Sequence, residues 1–303
     1  MIRLGAAALV IVALPAAQAA SVPQTTFRSG VEVVELDVSV TRGGVPVAGL
    51  TARDFALTDS GVAQEVRSVT LEQLPLSVTM VLDTSQSVAG ERLQHLAQAG
   101  LGLIAALHAE DRAALVTFSH AVDLRLPMTG DMASIRAAVG AMTASGATSL
   151  RDAVHLALQL QPHDQTRPLV LIFTDGHDTA SWLTEDAAID SARRAGVVIH
   201  AVRLESDVFL DKLTQISGGR SWSATSDRQL QDLFTKALDE MRARYLLTYT
   251  PRGVRQPGWH ELKVKLKRGA ADVTARRGYF VADHVPLFIS ASVPSPFGFS
   301  PPP

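Results

Sequence analysis

The sequence contains no cysteine. Disulfide bonds, thiolate metal sites, a cysteine nucleophile and a lipidated N-terminal cysteine are therefore excluded. Asparagine is also absent, so the turns must be made by glycine, aspartate, serine and proline. Neither sign of charge dominates, because 28 Lys and Arg residues oppose 30 Asp and Glu residues. The net charge of −2 gives no electrostatic attraction to nucleic acid or to an anionic membrane surface.

Several catalytic motifs are missing as well. The chain has no G-x-S-x-G, H-E-x-x-H, G-x-x-x-x-G-K-[ST] or G-x-G-x-x-G sequence. It therefore carries no signature of an α/β-hydrolase, a zinc protease, a P-loop protein or a dinucleotide-binding enzyme. What it does have is 303 residues with 47% hydrophobic content, enough for one large domain or two of ordinary size.

The first 19 residues have the pattern of a secretory signal peptide. Arg3 supplies a positive charge, residues 4–14 form an apolar run, and Ala17-Gln18-Ala19 has the small-x-small cleavage pattern. The run is shorter than the ~20 residues that a membrane-spanning helix needs. We predict that residues 1–19 are removed, that no membrane span remains, and that the protein is exported to the periplasm or secreted.

Two segments have the alternating pattern of half-buried β-strands. The first lies within residues 20–74, where apolar residues alternate over 31–41 with a slip near Val34 that indicates a bulge. The second is residues 243–283, with strict alternation over 259–267. Because neither segment is long enough to bury its own core, we predict that they pair into a small β-sandwich. The Pro-rich residues 284–303 are predicted to be a disordered tail.

Residues 75–242 between these segments alternate strands with helices. The strands, at 76–82, 113–118, 169–174 and 197–204, are continuously apolar. Continuously apolar strands separated by helices predict a doubly wound, mostly parallel α/β sheet, inserted here between the β segments. In such sheets ligands bind beyond the carboxyl ends of the strands.

Polar residues follow two of these apolar strands. Asp83, Ser85 and Ser87 come at every second position after the first strand, and Asp175 follows the strand 169–174. Thr148 lies in a polar loop before a helix and adds a candidate hydroxyl. Small oxygen ligands at strand ends suit a hard divalent cation such as Mg²⁺. A polar turn with Ser85 or Ser87 as helix N-cap is the structural alternative for the first stretch alone.

Taken in this order, these motifs resemble the metal-ion-dependent adhesion site of von Willebrand factor A (VWA) domains. The family's five ligand positions correspond to Asp83, Ser85, Ser87, Thr148 and Asp175, and each keeps the family's residue type. The resemblance covers about residues 76–242. It implies a VWA fold and a Mg²⁺ ion, with Mn²⁺ or Ca²⁺ as alternatives. It also implies adhesion or protein binding through an acidic residue of a partner protein, without catalysis.

A second resemblance concerns the flanking segments. The phrases at 49–55, 59–61 and 277–280 are similar to those of an exported bacterial group, the acidobacterial-type VWFA-related family. That group has the same order of β, α/β and β segments. The resemblance therefore agrees with the predicted export.

The loops around the predicted ion supply the residues that we expect to select a partner. These rim residues are Thr84, Gln86, His120, His177 and Asp178. His177 and Asp178 are also compatible with a softer metal such as Zn²⁺. Two other functions stay open: a Mg²⁺-dependent phosphohydrolase with Asp83 as nucleophile, and a metal-independent scaffold of an envelope complex.

Overall fold

A computed structural model describes residues 33–71, 74–162, 164–254 and 256–282. The predicted signal peptide and the predicted Pro-rich tail lie outside these residues. Within this part of the chain, no helix is both long enough and apolar enough to cross a membrane. The described residues form a six-stranded sheet with helices on both faces, and two antiparallel sheets.

The described part of the chain begins with five strands. They are β1 (Val34–Arg42), β2 (Val45–Pro46), β3 (Phe55–Asp59), β4 (Val62–Gln64) and β5 (Val66–Thr70). In β1 the side chains of Val34, Leu36 and Val38 are buried, whereas Val33 is exposed. The bulge predicted near Val34 is wrong, because the alternation starts with the strand at Val34 and its pairing is regular from there.

The α/β part of the molecule spans Leu76–Arg242. Its strands are β6 (Leu76–Asp83), β7 (Arg112–Phe118), β8 (Val122–Thr129), β9 (Arg167–Thr174), β10 (Val198–Arg203) and β11 (Ser221–Ser223). They lie in the order β11-β10-β9-β6-β7-β8, and all neighbours are parallel except β7 and β8. The sheet is therefore mostly parallel, with an antiparallel strand at one edge.

Six helices cover the two faces of this sheet. They are α1 (Glu91–Ala106), α2 (Met132–Gly140), α3 (Leu150–Gln159), α4 (Glu185–Ala195), α5 (Val208–Ser217) and α6 (Leu230–Arg242). Alternate residues of β6 enter different cores: Met80 packs with α1, α2 and α6, and Val81 packs with α3, α4 and α5. The doubly wound α/β fold predicted from the sequence is confirmed.

The helix ends show how local sequence fixes these elements. Thr184 caps α4 by accepting a hydrogen bond from the amide of Ala187 at 3.3 Å, as its sequence position predicts. Gly196 ends the helix with φ at 63°, a conformation that favours glycine. A 3₁₀ turn at Asp227–Gln229 precedes α6, which begins at Leu230.

Four strands follow the α/β part: β12 (Tyr245–Tyr249), β13 (Gly258–Leu266), β14 (Asp272–Thr274) and β15 (Gly278–Val281). One antiparallel sheet has the order β14-β1-β12-β5, with β2 beside β1, and the other has the order β15-β13-β3-β4. We call these two sheets the β-layer. In the first sheet, strands from both ends of the described chain alternate, so β1 lies between β12 and β14. In the second sheet, the two groups meet where β13 pairs with β3.

A buried carboxylate and a buried guanidinium lie at the amino-terminal edge of the six-stranded sheet, where its parallel strands begin. Asp111 accepts hydrogen bonds from the amides of Leu76 and His108 and from the guanidinium of Arg242, each at 2.7 Å. It thereby joins the first strand of the α/β part to the last helix. At the same edge, the buried guanidinium of Arg167 forms an ion pair with Asp37 of β1 and connects β9 to the β-layer.

Candidate functional site

The candidate site lies at the carboxyl ends of β6 and β9. From β6 the chain continues to β7 and β8 on one side, whereas β9, β10 and β11 lie on the other side. The crevice between β6 and β9 is therefore a topological switch point, where ligands bind in folds of this kind. Asp83 is the last residue of β6, and Asp175 directly follows the last residue of β9. Strand pairing alone brings the two predicted acids to this crevice.

A chain of hydrogen bonds connects the two acids. The carboxylate of Asp83 accepts the amide of Ser85 at 2.8 Å and the hydroxyl of Thr174 at 2.7 Å. The hydroxyls of Ser85 and Ser87 lie 3.0 Å apart, and the Ser87 hydroxyl donates to Asp175 Oδ1 at 2.7 Å. Four of the five predicted ligand residues, with Thr174, thus form one connected cluster of oxygen atoms.

The loop that carries Thr148 is fixed to the other loops by backbone hydrogen bonds. The amide of Ser145 donates to the carbonyl of Thr84 at 2.9 Å, and that of Gln86 donates to Gly146 at 2.8 Å. On its other side, the carbonyl of Thr148 accepts the amides of Thr179 and Ala180. Thr148 itself is buried. Its loop therefore lies between the loops of the two acids.

Glycine is required within this loop. Gly146 has φ at +77°, and a Cβ built on it would lie 2.3 Å from the ring Nδ1 of His120. A side chain at this position would therefore strain the backbone and displace the imidazole. The exposed ring of His120 thus packs against the loop that carries Thr148.

The charge of Asp83 is poorly compensated within the protein. Its side chain is fully buried. Burial raises its pKa, the hydrogen bonds from Ser85 and Thr174 offset this effect only in part, and the charge of Asp175 adds to the rise. A cation placed in the crevice would stabilise the ionised carboxylate.

A residue that the sequence analysis did not select reaches Asp175. Arg92, in the first turn of α1, forms an ion pair with Asp175 Oδ2, and the same nitrogen donates to the carbonyl of Ser87 at 3.3 Å. The sequence signal was a basic residue at the start of the helix that follows the Asp83–Ser87 stretch. Its direction towards the site depends on the turn Gln86–Val88, which the alternation pattern does not reveal.

The five predicted rim residues have different environments. Gln86, His120 and His177 are exposed around the site. Thr84 is buried and its hydroxyl donates to the carbonyl of Phe118 at 3.0 Å, so its side chain faces into the sheet. Asp178 accepts hydrogen bonds from the Arg151 guanidinium at 2.6 Å and the Arg151 amide at 3.0 Å. It therefore fixes the loop after Asp175 to the start of α3.

That loop presents an aromatic side chain that the sequence analysis also missed. Trp182 is 95% exposed. Its backbone is nevertheless held in place, because the carboxylate of Asp152 accepts the amides of Trp182 and Leu183, each at 2.9 Å. Val208, at the start of α5 on the same edge of the sheet, is 69% exposed. Both apolar side chains thus face solvent at the edge of the sheet that carries the candidate site.

The donor chemistry fits a hard divalent ion. The cluster contains carboxylate and hydroxyl oxygens, which suit Mg²⁺, Mn²⁺ or Ca²⁺. Within the described ranges, no group of three or more His, Cys, Asp and Glu residues is arranged around a common metal position. His177 and Asp178, the candidate pair for a softer metal, have separate partners: His177 faces Asp207 at 3.2 Å, whereas Asp178 binds Arg151.

The sequence of this region matches a known domain. Residues 78–177 match the family model for the von Willebrand factor type A domain, and all five candidate ligands fall within this range. The chain is 28% identical over 110 residues to the uncharacterized protein sll0103 of Synechocystis sp., covering 35% of this chain and 26% of that protein. It is 24% identical over 294 residues to inter-alpha-trypsin inhibitor heavy chain H4 of Sus scrofa, covering 89% of this chain and 30% of that protein. The matches span less than a third of either relative.

A solved structure shares the fold. The von Willebrand factor type A protein from Catenulispora acidiphila superposes with a TM-score of 0.50 at 15% identity, over 78% of this chain and 76% of that chain. At this identity the similarity concerns the fold alone.

Proposed function

Because the chain contains a von Willebrand factor type A domain, we propose that it is an exported, Mg²⁺-dependent protein-binding and adhesion module. In this proposal the ion is held by Asp83, Ser85, Ser87, Thr148 and Asp175. The observation that carries the proposal is the burial of Asp83 at the switch point, where hydroxyls and an amide only partly compensate its charge. A divalent cation would supply the missing positive charge.

Two acids and three neutral hydroxyls suit an ion that also binds an external ligand. The two carboxylates balance the charge of Mg²⁺, and the hydroxyls add none. Mg²⁺ bound by few carboxylates usually keeps several water molecules. When bound, the ion would act as a Lewis acid towards a carboxylate. An Asp or Glu of the partner protein could replace one water and gain a charge-assisted bond.

Calorimetric titration with Mg²⁺ tests the metal site. We expect binding by the wild type and no measurable binding by Asp83→Ala or Asp175→Ala. Asp190→Ala is the matched control, because Asp190 pairs with Arg194 on the exposed surface of α4. Circular dichroism should show all four proteins folded. Equal binding by the wild type and both site variants would refute the ligand assignment.

The rim supports a protein as the partner. Gln86, His120 and His177 are exposed polar residues around the site. Trp182 adds a large apolar side chain on a loop that Asp152 holds in place. Exposed tryptophan is a frequent binding hot spot in protein interfaces. We expect a partner isolated in Mg²⁺ to be released by chelator. Its affinity for Trp182→Ala should be about tenfold lower. Neutralising the acidic residues of the partner one at a time should then identify the carboxylate that binds the ion. Binding that survives both chelation and the loss of these acidic residues would show that the partner contacts another surface of the protein.

The geometry favours binding over the phosphohydrolase alternative. Both oxygens of Asp83 already accept hydrogen bonds, from Ser85 and Thr174, and the side chain is buried. A small ion could still use the remaining lone pairs of these oxygens, whereas a bulky phosphoester has little access to a buried carboxylate. Ser85 also stands where an aspartyl-phosphate enzyme would place a second acid. Hydrolysis of p-nitrophenyl phosphate in Mg²⁺, lost in Asp83→Ala, would favour the enzyme instead.

Export is the remaining element of the proposal. It rests on the signal-peptide pattern of residues 1–19, with cleavage after Ala19. Mass spectrometry of the protein isolated from its native cells should find an N-terminus near Ala20. Uncleaved protein in the cytoplasm would contradict it.

A further inference from the structure

We propose that Arg92 is an internal counter-ion that competes with the divalent cation for Asp175 and so sets the ion concentration at which the site becomes occupied. The inference rests on the proposed metal site. It concerns the regulation of that site, which the five ligand positions alone do not address.

The first observation is that Arg92 and the Ser87 hydroxyl together use both oxygens of Asp175. The guanidinium forms its ion pair with Oδ2, and the hydroxyl donates to Oδ1. Asp175 is buried, so its charge needs a partner in every state of the site. In the structure this partner is Arg92. An ion bound by Asp175 must therefore take over at least part of this pairing.

The second observation is the position of Arg92 within its helix. It lies in the first turn of α1, directly after Glu91. The helix dipole favours acids such as Glu91 at this end and disfavours cations. The helix dipole therefore does not favour a cation at the position of Arg92. Its ion pair with Asp175 and its hydrogen bond to the Ser87 carbonyl direct the guanidinium towards the site.

The third observation is that Arg92 can leave at low cost. Its side chain is 38% exposed, whereas Arg167, in the ion pair with Asp37, is 4% exposed. A guanidinium on a side chain this exposed can rotate fully into water and become better hydrated. The main cost of its departure is then the lost ion pair with Asp175, which a bound cation would replace. Arg92 is thus a removable partner, unlike the buried arginine at the opposite edge of the sheet.

Charge counting gives the direction of the effect. With Arg92 in place, Asp83, Asp175 and Arg92 carry a net charge of about −1; without it, the two carboxylates present about −2 to the ion. Removing a positive charge close to a cation site strengthens the attraction of the site for a divalent ion. Loss of this charge should therefore tighten metal binding.

The test compares Arg92→Gln, Arg92→Lys and Arg194→Gln with the full-length wild type by calorimetry, with Mg²⁺ and Mn²⁺ as the only ligands. We expect Arg92→Gln to bind both ions about tenfold more tightly. Arg92→Lys keeps the charge and should stay near the wild type. Arg194→Gln removes an exposed arginine of α4 and should not change affinity.

Thermal unfolding provides a second readout. Without metal, Arg92→Gln should be less stable than the wild type, because Asp175 stays buried without its partner. Saturating Mg²⁺ should raise the melting temperature of Arg92→Gln by more than that of the wild type.

The outcomes separate the two hypotheses. Competition is refuted if the ions bind but Arg92→Gln binds them no more tightly than the wild type. Equal binding would show that Arg92 does not affect the ion, and weaker binding would show that it positions Asp175. If no variant and no wild-type sample binds either ion, the metal site itself is refuted, and the competition with it. If only Arg92→Gln binds, the competition is strong enough to keep the wild-type site closed.

Discussion

A buried acid lies at each of the two edges of the six-stranded sheet, and the pKa values of the two acids are shifted in opposite directions. At the amino-terminal edge, burial alone would raise the pKa of Asp111, but the amides of Leu76 and His108 and the guanidinium of Arg242 hold it below its usual range. At the carboxyl edge, burial raises the pKa of Asp83 because its partners are hydroxyls and one amide. The first acid is satisfied by the protein and stabilises it. The charge of the second is less well compensated, and in the proposed function a divalent cation would compensate it.

The largest expected effect concerns the β-layer that meets the amino-terminal edge. We predict that deleting residues 245–281 unfolds the strands at 33–70, because β1 loses β12 and β14, and β3 loses β13. Limited proteolysis should then cut these N-terminal strands. Mg²⁺ binding at the carboxyl edge should persist. Unchanged protection of residues 33–70 would show that the two segments fold separately.

The next effect tests the amino-terminal edge itself. Asp111→Asn should lower the free energy of unfolding by about 3 kcal/mol, because Arg242 loses its buried anionic partner and one backbone amide faces the new amide group. Urea denaturation measures the change. Mg²⁺ affinity should remain that of the wild type. A change in Mg²⁺ affinity with little loss of stability would contradict a purely structural role for Asp111.

Asp83→Asn should weaken metal binding without destabilising the metal-free protein, the opposite of what we expect for Asp111→Asn. The asparagine keeps a similar shape but removes a buried, poorly compensated charge. We expect metal binding to fall by at least a hundredfold, about 2.7 kcal/mol. The free energy of unfolding without metal should stay equal or rise by about 1 kcal/mol. Calorimetry and urea denaturation of the same sample measure both. If Asp83→Asn lowers the free energy of unfolding as much as Asp111→Asn does, then Asp83 also has a structural role, and the two acids do not differ as we propose.

The smallest effect is the pH dependence at the amino-terminal edge. The pKa of Asp111 is lower in the folded protein than its unfolded value of about 3.9. Its stabilising contribution is therefore fully present well above pH 4 and is lost as the pH falls towards the folded pKa. Below pH 4 the wild type should lose stability faster than Asp111→Asn, by about 1.4 kcal/mol for each unit by which the pKa is lowered. Parallel curves would show that another group controls acid unfolding.

The fold could be predicted because its signals are local. The apolar strands β6 and β9 end abruptly at acids, and parallel strands bring their carboxyl ends to one edge. These two facts predict that Asp83 and Asp175 lie close together. The alternation in β1 was misread at Val34, because an exposed valine just before a strand looks like a slipped register.

Side-chain direction in the loops could not be predicted. Thr84 follows Asp83 directly and was expected at the rim, yet its amide and hydroxyl both bind the carbonyl of Phe118 on the neighbouring strand. Arg92 reaches Asp175 only because of the 3₁₀ turn before α1. Trp182 is exposed because Asp152, which is distant in sequence, fixes its loop. Each of these contacts joins elements whose relative placement the sequence pattern leaves open.

The position of Asp111 has a consequence for the order of folding. Its carboxylate binds the first residue of β6 and the last residue of α6, so the two ends of the α/β part lie side by side. Pairing of β1 with β12 joins Val34 to Tyr249, and closing so long a flexible loop would cost several kcal/mol of chain entropy, roughly (3/2)RT ln n plus a constant. Once the α/β part has folded, only two residues separate α6 from β12. Residues 43–75 still lie between β1 and β6, but early folding of the α/β part removes its own length from the loop that this pairing must close.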